Sequence, residues 1–364
     1  MTIVTSPIPR SSVPENISKQ LDSNSNVCVV NGRDVFTAFA DDSMIVMACN
    51  PRITHVIPGI MRAAEELDAV IAFELTATEG GLDGGYTGQT PEQFVSTILE
   101  HAGTCRFSKP FFIHADHITI KEDTPEEIER AAQLLDAQLA AGFTSFALDA
   151  SFLPLTQNIR TVNRLAQAVT RAGLGLEVEL GEVKHVGSES SITTVAETEE
   201  FLAGLAGAGI TPQLLAIDNG SKSGNYLDGQ MVNIDLERTG EIFQIARRFG
   251  VAGLVQHGIT GTPLRIVGKL AEFGIRKGNI GTLWQNVAHA GLPLELMDEM
   301  RSWARENRRD IKYATGVFKE AIDAVPASNK EQIAEMARRE ALEFIKAFHA
   351  KGSASRLAAA LASS

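Results

Sequence analysis

The densest reactive cluster in the sequence is His114-Ala115-Asp116-His117, which follows an apolar run. It puts two imidazoles and a carboxylate within four positions. Such groups ligate a divalent metal or move protons. Histidines satisfied by backbone hydrogen bonds, with Asp116 capping a turn, would give the same letters. Two further histidines follow other apolar runs, His257 directly and His185 in the loop beyond. Neutral imidazoles and carboxylates converging from several strand ends suit a divalent cation, most simply zinc. That ion would polarise a carbonyl and stabilise an enediolate, while a neighbouring aspartate moves a proton.

Three other segments carry chemistry. In the run at 174–180, Glu177 and Glu179 alternate onto one face of a strand, with Glu179 nearer its C-terminal end. Glu182 and His185 follow three positions apart, a spacing that reaches one ion if the loop turns helically and means nothing if the loop is solvated. In 256–263, Gly258 and Thr260 could present N–H groups to an anion, and Asn279 and Thr282 in Asn-Ile-Gly-Thr add to such a cradle.

These residues need a scaffold that gathers them. Eight apolar, strand-like runs recur at 44–49, 69–75, 110–116, 145–149, 174–180, 213–218, 252–256 and 277–281. They are apolar almost throughout, as strands covered on both faces are. Helical patterns lie between them at 125–142, 158–173 and 237–250, each closed by glycine. The alternation predicts an α/β fold, a (β/α)8 TIM barrel with extra C-terminal helices. A doubly wound open sheet is the alternative, weakened by the absence of a GxGxxG turn. Residues 1–30 read as a flexible arm, 31–295 as the barrel catalytic domain and 296–364 as a C-terminal helical extension that packs on the barrel or meets another subunit. Barrel sites lie at the C-terminal strand ends. Those ends carry Glu74, the His114–His117 cluster, Asp149 with Ser151, Glu179, Asp218 with Asn219, His257, and Asn279 with Thr282.

Composition narrows the function classes. Charged residues are 21% and the net charge is −12, which argues against a nucleic-acid phosphate-backbone binder. Aromatics are 6%, too few for base-stacking recognition. No run approaches the roughly 18–20 apolar residues of a membrane span. Three scattered cysteines and an N-terminus without an apolar signal core point to a reducing cytoplasm.

Taken in order, HADH, LDAS, EVELGE, QHGITGTP and NIGT resemble the class II, metal-dependent ketose-bisphosphate aldolases over most of residues 35–295. The resemblance implies a metal-dependent lyase acting on a ketose or ketose phosphate. Asp116 would be the catalytic carboxylate, His117 and His257 metal ligands, and Asn279 a substrate-orienting residue. Gly258, Thr260 and Thr282 would bind phosphate, and relatives are commonly dimers or larger. After strand six the family carries HG-x-Y-K; this chain reads SKSGNYL, keeping Gly224 and Tyr226 but placing Ser223 for the histidine and Leu227 for the lysine. His185 or Glu182 would then complete the metal site, and Glu189 would stand in for the loop acid/base. Residues 74–94 also look like the non-catalytic-type subunits of tagatose-bisphosphate aldolase, although a glycine-stiffened loop with Thr90 and Pro91 starting a helix accounts for the same letters. Three functions follow: an aldolase, a retro-aldol epimerase using the same pocket, or a metal-free accessory subunit.

Overall fold

The computed structural model describes residues 8, 12–21, 25–181, 192–222 and 233–363. Eight parallel strands close into one barrel in sequence order: β1 (Val46–Cys49), β2 (Ile71–Thr76), β3 (Phe111–Thr119), β4 (Ser145–Asp149), β5 (Gly175–Leu180), β6 (Leu214–Ile217), β7 (Gly253–Gln256) and β8 (Ile275–Ile280). Closure is made by β8 on β1, Val46 opposite Lys277, which excludes the open sheet. Each expected strand run contains or overlaps one of these.

Local signals account for the helices between them. The helix Pro125–Ala141 starts at Thr124, whose hydroxyl accepts from the Glu127 N–H, and ends on Gly142 at φ 100°. The helix Leu155–Ala172 ends on Gly173 at φ 67°. Thr90 caps the helix Pro91–Cys105 through a reciprocal capping box with Gln93. Among the described residues no helix is long and apolar enough to cross a membrane.

The segment expected to be a loose arm is docked over its described residues. Ile17 is fully buried, and Asn16 donates to the carbonyls of Leu139 and Phe143 at 3.1 and 2.7 Å. Val29 bridges to Phe111 beside β3. Backbone polar groups left free by the helix Pro125–Ala141 draw the arm in, a cue that composition does not carry.

Beyond the barrel, the helix Ala327–Ala347 lies along the helix Ile57–Leu67. Contact is close because residue 59 is glycine: a Cβ there would stand 1.9 Å from the Ala334 carbonyl oxygen. Gly59→Ala must therefore push the helices apart and is expected to cost about 1–3 kcal/mol. Urea unfolding checks this, and an unchanged midpoint would refute it.

Candidate active site

A pocket of about 400 Å3 opens at the C-terminal ends of the strands. Asp116 and His117 both line it, though neighbours on a regular strand face opposite ways. The cause is a break in β3. Its register against β4 shifts between Ala115 and Ile118, and His117 adopts φ 44°. A bulge of this kind re-aims one side chain. It also explains why β3 runs on to Thr119, past the expected end at 116.

His117, Glu179 and His257 converge so that one ligand atom from each lies within 4.8 Å of the others. His117 Nδ1 is 2.9 Å from Glu179 Oε2 and 3.3 Å from Asp149 Oδ2. Its Nε2 is 3.3 Å from His257 Nδ1. Among the described residues His257 Nε2 is buried without a hydrogen-bond partner. Burial and then the His117 charge push His257 down to about 4, leaving a neutral ring with a lone pair to offer. Burial opposes charge on His117, but Glu179 and Asp116 outweigh it and hold that imidazole well above the usual range. Glu179 is pushed up to about 8 by burial and then Asp149, against the pull of His117. One nitrogen from each histidine and one Glu179 oxygen could together hold a divalent cation here.

Asp116 sits beside this triad with both oxygens held. Asn279 Nδ2 donates to Oδ1 at 2.9 Å and Asn50 Nδ2 donates to Oδ2 at 3.2 Å. Burial alone would raise its pKa; the charges of His117 and then Lys277 overcome that and keep it ionised, below the usual range. Asn279 Oδ1 is buried and unpartnered among the described residues. Gly258, Thr260 and Thr282 line the same pocket. Gly258 has φ 67°, and a Cβ there would strike the Lys222 carbonyl. The Thr260 hydroxyl accepts the Leu283 N–H at 3.2 Å.

His185, Gly224, Glu182, Glu189, Ser223, Tyr226 and Leu227 lie outside the described residues. Five expected strand-end residues, Glu74, His114, Ser151, Asp218 and Asn219, do not line the pocket. Glu74 and His114 point into the barrel two positions below the mouth, because side chains alternate and Thr76 and Asp116 take the upper layer. There Lys277 Nζ bridges Glu177 at 2.7 Å and Glu74 at 3.2 Å, and His114 Nε2 is 3.3 Å from Glu177. All four residues are essentially fully buried. Asp218 and Asn219 are also buried, with Asn219 Nδ2 donating to Gln256 at 2.8 Å.

The sequence reading missed Asn50, Arg52, Glu79 and Tyr86. Glu79 takes Arg52 Nε at 2.6 Å, the Tyr86 hydroxyl at 3.1 Å and Asn50 Nδ2 at 3.0 Å. The signal was present: Asn50 and Arg52 directly follow the first apolar run, as polar residues follow the other seven.

A sequence profile for the family described as Fructose-bisphosphate aldolase class-II matches residues 30–341. The fructose-bisphosphate aldolase of Streptococcus pneumoniae serotype 4 is 23% identical over 308 residues, covering 84% of this chain and 97% of that protein. Among solved structures, the YdjI aldolase of Escherichia coli K12 superposes with a TM-score of 0.62 at 20% identity, covering 90% of this chain and 99% of that one. The fructose-bisphosphate aldolase of Campylobacter jejuni gives 0.59 at 18% identity, covering 89% and 97%. At such identities the superpositions speak for the fold.

Proposed function

We propose, for a chain that belongs to the class II fructose-bisphosphate aldolase family, that it is a metal-dependent lyase that cleaves or forms a carbon–carbon bond in a ketose phosphate. The observation that carries this reading is the convergence of one ligand atom each from His117, Glu179 and His257, with ionised Asp116 adjacent. These three residues would hold a divalent cation, most simply zinc, with His185 a candidate fourth ligand. Such an ion supplies Lewis-acid polarisation of the substrate carbonyl.

The remaining work falls to the chain's own groups. In the cleavage direction Asp116 takes the proton from the hydroxyl on the carbon that leaves as an aldehyde. The carbon–carbon bond breaks as that C–O bond becomes a carbonyl, and the electron pair stays with the ketone half. Asn50 and Asn279 hold the Asp116 carboxylate against rotation, so its proton transfer needs no reorganisation. The unpartnered Asn279 Oδ1 accepts a substrate hydroxyl. The phosphate would rest on Gly258, Thr260 and Thr282, with Gly224 a further candidate.

Asp116→Asn tests the assignment, because it keeps the shape and one of the two accepted hydrogen bonds but removes the base. Metal content measured by elemental mass spectrometry should stay unchanged, while kcat for ketose-phosphate cleavage falls about 10²–10⁴-fold. Surviving turnover would move the proton transfer elsewhere. A product epimeric at the cleaved carbon, in place of two fragments, would overturn the lyase reading.

A further inference from the structure

The glycine-rich segment 80–88 folds back on one buried carboxylate, Glu79, which lines the active-site pocket. The Glu79 carbonyl accepts the Thr87 N–H at 3.1 Å and the Thr87 hydroxyl at 2.8 Å. Gly85, at φ 54°, lies so close to that carbonyl that a Cβ would stand 2.6 Å from it. From the other side the Thr76 carbonyl accepts the Glu79 N–H at 3.0 Å. Backbone on both sides thus fixes where the Glu79 side chain starts.

Among the described residues that side chain meets donors only. Oε1 accepts Arg52 Nε at 2.6 Å and the Tyr86 hydroxyl at 3.1 Å, and Oε2 accepts the Thr76 N–H and Asn50 Nδ2, both at 3.0 Å. A carboxylate offers about four lone-pair sites, so these four donors saturate it. Glu79 therefore has no site left for a metal or a substrate proton, although it lines the pocket. Its Asn50 partner leads on to the reacting group. One Nδ2 hydrogen goes to Glu79 and the other reaches Asp116 Oδ2 at 3.2 Å. Carboxylates only accept, so an amide between two of them must present its NH2 to both. The reverse orientation would set the amide oxygen against two negative charges.

We propose that Glu79 is a positioning residue for proton transfer at Asp116: it fixes the Asn50 amide and, through it, the angle of the Asp116 carboxylate. The glycine-rich loop holds Glu79 in place, and Arg52 supplies the opposite charge that stabilises it in the buried wall. This deepens the aldolase reading and rests on it for what Asp116 does. Segment 80–88 then bears on turnover without touching the reacting atoms.

Nuclear magnetic resonance of protein labelled with nitrogen-15 asparagine tests the geometry without turnover. The Asn50 NH2 pair is identified by its loss in Asn50→Ala. In Glu79→Gln that pair should move and exchange with solvent at least about tenfold faster, because the new amide sets a donor against Asn50. Gly85→Ala pushes the Glu79 carbonyl from behind and should move the same pair. In turnover, Glu79→Gln should lower kcat for ketose-phosphate cleavage about 10–100-fold, with KM within about threefold of wild type and metal content unchanged. Added to Asn50→Ala, it should lower kcat less than about twofold further, since the two residues act in one chain. An unmoved Asn50 pair in Glu79→Gln, or an equal loss of kcat with and without Asn50, would overturn the proposal. A moved pair in a protein whose wild type shows no aldol activity would support the positioning role while sinking the proposed reaction.

Discussion

His257→Ala is expected to remove the metal proposed for this site and to drop kcat by at least about 10³-fold. His257, just past the end of β7, lines the pocket with His117 on β3 and Glu179 on β5, the other two proposed ligands. Its Nε2 has no partner among the described residues, so the alanine variant sacrifices no hydrogen bond to them through that atom. The barrel should fold, with its circular dichroism spectrum unchanged. Elemental mass spectrometry on protein purified without chelator reads the outcome. About one divalent ion per chain in wild type and a small fraction of that in the variant is the expected pair. Undiminished metal in the variant would remove His257 from the ligand set. A metal-free wild type, even after incubation with zinc, cobalt and manganese, would leave the accessory-subunit reading standing.

Lys277→Met attacks stability rather than chemistry. The ammonium is fully buried, 2.7 Å from Glu177 and 3.2 Å from Glu74. Burial, then Asp116, drives Glu74 well above the carboxylate range despite the pull of Lys277. Burial would also raise Glu177, but Lys277 and His114 hold it well below that range. Glu177 therefore carries the negative charge that needs the lysine. Removing one partner of a buried pair costs about 3–5 kcal/mol. For a domain of this size, that lowers the melting temperature by about 4–7 °C. Adding Glu177→Gln to Lys277→Met removes the stranded charge and should restore part of the loss. Scanning calorimetry of the three proteins decides it. A single variant that melts with wild type would mean the ion layer contributes nothing.

The strands were legible because barrel strands buried on both faces read as continuous apolar runs; β4 has the bounds expected, 145–149. The depth of each polar residue was less legible. Glu74 and His114 end apolar runs in the sequence, but a layer position depends on strand stagger, which one strand's letters do not contain. The bulge that turns His117 toward His257 is equally silent, since nothing in HADH distinguishes a left-handed histidine from an extended one. Arg52 and Glu79 are 27 positions apart, and only the pairing of β1 with β2 reveals their contact.

The close fit of Ala327–Ala347 on Ile57–Leu67 has a consequence for synthesis. The first βα unit made by the ribosome is covered by one of the last helices made, and β1 cannot pair with β8 until residue 280 has emerged. These contacts span most of the chain, so their loop-closure cost comes before they contribute any stability. Tyr86 likewise waits for Tyr313, whose ring centroid ends 5.1 Å from its own. A nascent chain therefore exposes the inner face of Ile57–Leu67 for most of its translation, which is the interval in which chaperone capture and aggregation compete with folding.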